Sequence, residues 1–197
     1  TFNHMVAHDL RGPLSGVSGL THLIKRRLES GDIGKIPRWL DLVSSQTERL
    51  SAMVGGMLDL SKLARSPVQR RACALDALTR EALETVRITS PQAVQGISFE
   101  VEVMPTLVVD PVLMRQVLIN LIGNAVKFCR EVPAPAVKVS AQQEGQRVVV
   151  QVRDNGVGFD VEHTNGLFQP FVRLHGPSYE GTGIGLATVK RIVEMHG

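Results

Sequence analysis

The chain has 197 residues, of which 43% are hydrophobic, and a formal net charge of +3. This length predicts one or two domains with a real core, and we find neither a signal peptide nor the ~20 consecutive apolar residues of a membrane span. The small positive charge comes without a run of lysine and arginine, so we expect no nucleic-acid partner and no membrane contact by this segment.

The ends of the chain and its two cysteines bear on the cellular location of the protein. Residues 1–4 look like the middle of a helix, so we expect the chain to be cut from a longer protein at both ends. Cys73 and Cys129 match no metal or redox spacing, which predicts reduced, buried cysteines. We therefore expect a cytoplasmic location, within a parent protein that can still be anchored in a membrane.

Two heptad-like apolar stripes dominate the first 64 residues and predict two helices, at about 1–30 and 35–64, around a glycine-containing turn. One hairpin cannot bury both stripes and Trp39. We therefore predict a homodimer through residues 1–64, in which two hairpins form a four-helix bundle. The alternative is a helical domain that packs on the rest of the chain. The stripes contain Leu10, Leu14, Val17, Thr21, Ile24 and Leu28, then Ile36, Leu40, Val43, Thr47, Leu50, Val54 and Met57.

The second half of the chain mixes helix and strand patterns. Asp110-Pro111 is a helix start, with Asp as the N-cap and Pro in the first turn. The pattern indicates an α+β sandwich with one mixed sheet and helices on one face. The predicted domains are 1–65, a linker at 66–71, and 72–197. The predicted elements are a helix over 76–88, a strand over 97–103, a helix from 111 to about 129, a hairpin over 136–143 and 147–154, and a last helix from about Thr182.

The segment from His8 to Pro13 reads His-Asp-Leu-Arg-Gly-Pro. At 100° per residue, His8 falls about 160° from the centre of the first stripe, which predicts an exposed side chain. A carboxylate such as Asp9 can fix the tautomer of the imidazole and raise its nucleophilicity, and Pro13 removes a helical hydrogen bond. An exposed histidine beside an aspartate is more often plain solvated surface, so the segment alone leaves both interpretations open.

Asn120 and Asn124 lie four residues apart in the predicted long helix, and Lys127 follows one turn later. Amide oxygens suit a Mg²⁺ ion that also keeps water and phosphate ligands, and the lysine can neutralise phosphate charge. An ordinary amphipathic helix with its asparagines in solvent is the alternative. Asparagine is unfavourable inside a helix, which speaks for a functional role. The sequence alone therefore favours neither interpretation over the other.

Two glycine-rich segments follow. Residues 154–159 come directly after a predicted strand and form either a simple turn or the floor of a pocket, where Asp154 could accept from the amino group of adenine. Residues 181–186 lie where a loop meets a helix, a position at which backbone N–H groups bind anions. The Walker lysine and the Rossmann unit are both missing, so neither a P-loop nor a dinucleotide-binding fold is predicted.

These segments, in their order and spacing, resemble the sequence boxes of the sensor histidine kinases over nearly the whole chain. The resemblance implies a dimeric four-helix bundle followed by an α+β sandwich of the Bergerat type, shared with gyrase and MutL. Arg173-Leu174-His175 and residues 180–183 are most similar to phytochrome-like histidine kinases. The phosphoacceptor, asparagine, first glycine, phenylalanine and second glycine boxes correspond to residues 8–13, 120–128, 154–158, 168–171 and 181–185.

The resemblance also implies a role for each site residue. His8 is the implied phosphoacceptor and Asp9 its general base, while ATP and Mg²⁺ are the implied cofactors, with Asn124 as the Mg²⁺ ligand. Residues 159–180 correspond to the ATP lid, with Phe168 and Phe171 as its apolar anchors. The implied ATP-binding residues are Asn120, Asn124, Lys127, Phe128, Asp154, Gly156, Gly158, Arg173, Gly181, Thr182, Gly183, Gly185 and Leu186, with Phe128 and Asp154 at the adenine and Arg173 at the γ-phosphate.

The implied activity is ATP-dependent autophosphorylation of His8, then transfer to an aspartate of a response-regulator receiver domain. Gly12 stands where relatives that also dephosphorylate their partner carry Thr or Asn, so we expect little phosphatase activity. Two alternatives remain. One is a conformational ATPase of the gyrase type, a class that lacks the helical hairpin. The other is a dimeric scaffold with a degenerate nucleotide site, which the intact boxes disfavour.

Overall fold

The computed structural model describes residues 2–63, 67–160, 164, 166–172, 179 and 181–197, with side chains from residue 10 onward. The chain divides into two compact units, Thr1–Lys62 and Leu63–Gly197. The first is helical and the second combines helices with a mixed sheet, so the predicted fold class is confirmed for each unit.

The N-terminal unit contains two helices of equal length, α1 (Phe2–Glu29) and α2 (Ile36–Leu63). Each predicted stripe divides into two columns with a seven-residue spacing. One column is buried or half-buried, whereas the other, which we call the exposed column, faces solvent. The buried or half-buried column contains Leu10, Val17 and Ile24 of α1 and Ile36, Val43, Leu50 and Met57 of α2. The exposed column contains Leu14, Thr21 and Leu28 of α1 and Leu40, Thr47 and Val54 of α2.

The C-terminal unit is built on a three-stranded mixed sheet in the order β2-β4-β5, where β2 and β4 are parallel and β4 and β5 antiparallel. The helix α4 packs on β4 and β5 and also contacts α3 and α5. The elements are β1 (Arg71–Ala74), α3 (Leu75–Thr89), β2 (Ser98–Val101), β3 (Thr106–Val109), α4 (Pro111–Cys129), β4 (Ala136–Glu144), β5 (Arg147–Asp154) and α5 (Gly185–His196).

The structure differs from the sequence-based prediction in four details. A separate antiparallel pair, β1 and β3, was not predicted, and Arg71, assigned to the linker, is the first residue of β1. The last helix begins at Gly185 rather than near Thr182, because Gly181 and Gly183 have φ values of 145° and 74°, outside the right-handed helical region. Cys129 is buried as predicted, but Cys73 is only partly buried.

The helix α4 forms the centre of the core. By length and composition it could cross a membrane, and it is the one helix among the described residues for which this holds. Within the fold, however, its apolar side faces other elements of the C-terminal unit. Its buried residues are Met114, Val117, Leu118, Ile122, Ala125, Val126 and Cys129.

The N-terminus of α4 is capped by Asp110, which confirms the predicted helix start. One carboxylate oxygen accepts from the N–H groups of Val112 (3.0 Å) and Leu113 (3.2 Å), and the other accepts from the N–H of Gln69 (2.8 Å). Burial raises the pKa of Asp110, but the three backbone hydrogen bonds and the nearby charge of His196 together outweigh it and hold the pKa below the ordinary value of 3.8. The folded state therefore favours the charged carboxylate.

Asp110→Ala should lower the free energy of unfolding by about 1–2 kcal/mol at pH 7, because the cap is lost. A lowered native pKa stabilises the fold above the unfolded pKa, and this stabilisation is lost as the pH falls through the native value. The cost of the substitution should therefore be smaller at pH 3. Urea unfolding followed by circular dichroism at both pH values measures it, and an equal cost at both would contradict the assignment.

Candidate functional site

One face of α4 forms a wall of a cavity of about 430 Å³ within the C-terminal unit. Asn120, Asn124, Lys127 and Phe128 all line this cavity. The side-chain N–H of Asn120 donates to its own helix, at the carbonyl of Gln116 (3.0 Å). Its Oδ1 remains directed at the start of α5, where it would lie 2.8 Å from a Cβ atom placed on Gly185. Both asparagines therefore line the cavity and are partly buried.

The end of β5 supplies a carboxylate to the same cavity. Asp154 lines it together with Val152 and Gly158, and Asp154 Oδ1 accepts from the N–H of Gly156 (2.9 Å). Burial, followed by the nearby charge of Asp154, raises the pKa of the Cys129 thiol behind this wall. The cavity thus combines a charged hydrogen-bond acceptor with apolar surface.

Gly156 is not part of the lining but determines how closely β5 approaches α4. A Cβ atom on Gly156 would lie 2.4 Å from the carbonyl oxygen of Phe128 and 2.7 Å from Asp154 Oδ1. The same Phe128 carbonyl accepts from the N–H of Val157 at 3.1 Å. Glycine at 156 therefore allows the backbone contact that brings Phe128 and Asp154 to one cavity.

The start of α5 contributes the anion-binding part of the cavity. Ile184 precedes the helix and has no polar side chain to cap it, so the first N–H groups of α5 can serve a ligand. Lys127 Nζ lies 3.5 Å from the position of a Cβ atom on Gly181. Backbone N–H groups and an ammonium group are thus brought together. The predicted residues that line this part are Gly181, Thr182, Gly183, Gly185 and Leu186.

A backbone contact connects Phe171 to the second glycine-rich segment. Phe171 adopts a φ of 68°, unusual for a bulky residue, and its N–H donates to the carbonyl of Gly183 (2.9 Å). A Cβ atom on Gly183 would lie 2.8 Å from the Phe171 backbone. Phe168, the other predicted lid anchor, is 46% exposed. Phe171, which lies within the predicted lid, is therefore attached through its backbone to the second glycine-rich segment.

Three predicted site residues fall wholly or partly outside the described residues. His8 and Asp9 lie in the helical backbone of α1, but their side chains are not described, so the predicted exposure of His8 stays a prediction. Arg173 lies outside the described residues altogether. Among the described residues, no three His, Cys, Asp or Glu side chains form a group that could hold a metal ion.

Sequence reasoning missed an aromatic cluster in the cavity. Tyr179 lines it, and its ring lies 5.2 Å from that of Phe128 at an angle of 47°. Lys127 Nζ lies 4.1 Å from the centre of the Phe128 ring, in a cation–π contact. Tyr179 is the single tyrosine of the chain. Its position two residues before Gly181 was the only available signal, and that position predicts no particular contact.

Two family descriptions match the chain. The "His Kinase A (phospho-acceptor) domain" matches residues 1–66. The "Histidine kinase-, DNA gyrase B-, and HSP90-like ATPase" matches residues 109–197, which include every described residue that lines the cavity. The two matches therefore have the order that the sequence boxes predict.

Individual relatives agree with this result. The chain is 30% identical to methanogenesis regulatory histidine kinase FilI of Methanothrix harundinacea, over 100% of this chain and 22% of that protein. It is 28% identical to phytochrome-like protein Cph1 of Synechocystis, over 99% of this chain and 26% of that protein. Full-length ShkA in complex with AMPPNP has a similar structure, with a TM-score of 0.61 and 26% identity over 99% of this chain and 41% of that one. The chain spans about a quarter or less of the length of both named relatives.

Proposed function

The chain belongs to the sensor histidine kinases, and from that premise we propose that its C-terminal unit binds Mg-ATP and that His8 accepts the γ-phosphoryl group. In this reaction an imidazole nitrogen of His8 forms a bond to the γ-phosphorus, the bond from that phosphorus to the β–γ bridging oxygen breaks, and ADP leaves. Asp9 takes up or orients the imidazole proton. The phosphoryl group then passes to an aspartate of a receiver domain.

One observation carries the nucleotide half of the proposal. Asn120 and Asn124 of α4, Asp154 at the end of β5 and the glycine-rich start of α5 all line a single cavity. A carboxylate that accepts from an amino group and a helix start that binds anions are the two kinds of group that an adenine nucleotide requires. The apolar surface between them, which includes Phe128 and Tyr179, suits a flat base.

Each part of the cavity has a proposed partner in the nucleotide. Asp154 binds the adenine amino group, and Phe128 lies beside the ring. Lys127, the N–H groups at the start of α5 and the Gly181–Gly185 loop bind the phosphates. Asn124, with Asn120 nearby, holds Mg²⁺ through an amide oxygen, and the ion neutralises charge on the phosphates.

The direct test is incubation of the chain with γ-labelled ATP and Mg²⁺. We expect label on the protein that is labile in acid and stable in alkali, as a phosphoramidate is. A gyrase-type ATPase would release labelled phosphate without labelling the protein. A scaffold with a degenerate site would show neither labelling nor thermal stabilisation by nucleotide.

The exposed column supports the proposed homodimer. Three large apolar residues of this column, Leu14, Leu40 and Val54, are 55%, 51% and 45% exposed within one chain. The hydroxyls of Thr21 and Thr47 donate to the carbonyls of Val17 and Val43 (2.8 and 2.9 Å), so their hydrogen bonds are made within their own helices. A second hairpin would bury an apolar column with no unmet polar group.

Leu40→Glu together with Val54→Glu should convert the dimer to a monomer, because the bundle would then bury four carboxylates. The ATP-binding unit should remain folded and still bind nucleotide. Analytical ultracentrifugation measures the mass. Ser45→Glu is the matched control, since Ser45 is exposed on α2 about 140–180° away from both positions. A double variant that stays dimeric would place the interface elsewhere.

We also propose that the chain has little phosphatase activity towards its regulator. Dephosphorylation requires a water molecule aligned with the phosphorus, and Gly12 offers no side chain to orient it. The helix α1 continues through Gly12, and a Cβ atom there would meet none of the described groups within 4 Å. Gly12→Thr should therefore fit and should accelerate phosphate release from a purified phosphorylated regulator. Strong acceleration by the unaltered chain would refute the proposal.

A further inference from the structure

The side chain of Asn155 connects the turn after β5 to the segment that joins α4 to β4. Its Oδ1 accepts from the N–H of Ala136 (2.8 Å) and its Nδ2 donates to the carbonyl of Ala134 (3.0 Å). Its own N–H donates to the carbonyl of Ala136 (3.3 Å). Three hydrogen bonds therefore tie this residue to a segment 19 to 21 positions away.

The segment held by Asn155 is conformationally strained. Ala134 has a φ of 50°, a left-handed conformation that is unfavourable for a residue with a Cβ atom. Such a conformation persists only when its surroundings enforce it. The hydrogen bond from Asn155 Nδ2 acts directly on the Ala134 carbonyl and provides part of that restraint.

The residues on either side of Asn155 hold the base end of the cavity. Asp154 lines the cavity, and Val157 donates to the carbonyl of Phe128, the residue that supplies the facing aromatic ring. Asn155 does not line the cavity itself. Its side chain connects the start of β4 to the turn at residues 154–158. The same turn contacts the end of α4 through Val157, so both ends of the segment between α4 and β4 are hydrogen-bonded to it.

We propose that Asn155 is a positioning residue for adenine recognition, which sets the Asp154 carboxylate relative to the Phe128 ring. The inference rests on the proposed function, because it takes Asp154 and Phe128 as the groups that contact the base. The position requires a side chain that both accepts and donates. Aspartate would keep the bond from the Ala136 N–H but would face the Ala134 carbonyl without a donor, and alanine would lose both bonds.

The experiment compares Asn155→Ala, Asn155→Asp and the control Gln151→Ala in the full chain, with dissociation constants for ATP, ADP and GTP measured by calorimetry. Gln151 is an exposed amide on β5, four residues before Asn155, and it pairs with Ser140 of β4. In Asn155→Ala we expect ATP and ADP to weaken by the same factor, about tenfold for two lost hydrogen bonds. The preference for ATP over GTP should fall by a similar factor, with Asn155→Asp intermediate and Gln151→Ala unchanged.

A structural role without base positioning would give a different result. It would lower the melting temperature of the nucleotide-free chain and leave the ATP-over-GTP preference intact. Either that result or unchanged affinities for ATP and ADP in Asn155→Ala would overturn the inference. If Asn155→Ala does not fold, Asn155→Asp decides the question because it keeps one bond. Asp154→Asn distinguishes failure of the proposed base site from failure of the positioning role. An unchanged ATP affinity in Asp154→Asn would refute the base site itself. A weaker ATP affinity with an unchanged ATP-over-GTP preference in the Asn155 variants would refute only the positioning role.

Discussion

His8→Gln should abolish labelling of the chain by γ-labelled ATP while leaving the affinity for ATP unchanged within about twofold. Glutamine keeps a polar side chain of similar length, but its amide nitrogen is not a nucleophile, so no bond to phosphorus can form. The described residues that line the cavity all lie between Asn120 and Leu186, in the C-terminal unit, and His8 belongs to the N-terminal unit. Labelling followed by acid treatment, with calorimetry for ATP, measures both effects.

The chain provides a close control for this substitution. His22 lies on the same helix, fourteen residues after His8 and therefore within about 40° of the same face, and it is exposed. It has no adjacent carboxylate and no proline five residues later. His22→Gln should label like the unaltered chain. Comparable labelling of His8→Gln would refute the assignment of the phosphoacceptor, and loss of labelling in His22→Gln would indicate a general effect on α1.

Strong local signals made most of the fold predictable. Asp110 followed by Pro111 marks a helix start because one side chain caps free N–H groups and the next residue needs no donor, and the structure begins α4 there. The seven-residue spacing predicted both long helices, and the five sequence boxes carried the resemblance to the sensor histidine kinases that the comparisons confirm. These features depend only on residues near one another in the chain.

Features that depend on distant residues were not predictable. The four-residue strand β1 reads Arg-Ala-Cys-Ala and has no strand pattern; it is a strand because β3 pairs with it. Asn155 looks like a turn residue until the carbonyl of Ala134, 21 positions away, is seen to accept from it. The same limit applies to the candidate site, where periodicity placed Asn120 and Asn124 on one face but could not show that α5 begins opposite them.

The other large effect is expected for Gly156→Ala, which should weaken ATP binding. In Gly156→Ala the new Cβ atom would lie 2.4 Å from the carbonyl oxygen and 2.6 Å from the carbonyl carbon of Phe128, both backbone atoms of the core helix α4. Carbon atoms do not approach backbone atoms so closely, so the turn after β5 must move away from α4. This movement would break the 3.1 Å hydrogen bond from Val157 to Phe128 and would displace Asp154, whose Oδ1 lies 2.7 Å from the same Cβ position.

A hydrogen bond to a charged group contributes about 1.5–3 kcal/mol, so displacement of Asp154 in Gly156→Ala should weaken ATP binding about 10- to 100-fold. The strain should also lower the free energy of unfolding by about 1–3 kcal/mol. Gly123→Ala is the control, since a Cβ atom there meets no atom of the described residues within 4 Å and alanine favours the helix by about 0.5–1 kcal/mol. Calorimetry with ATP and urea unfolding measure the two effects. An ATP dissociation constant within threefold of the unaltered chain would mean that the Phe128–Gly156 contact does not form the base end of the site, and the adenine assignment of Asp154 would lose its structural basis.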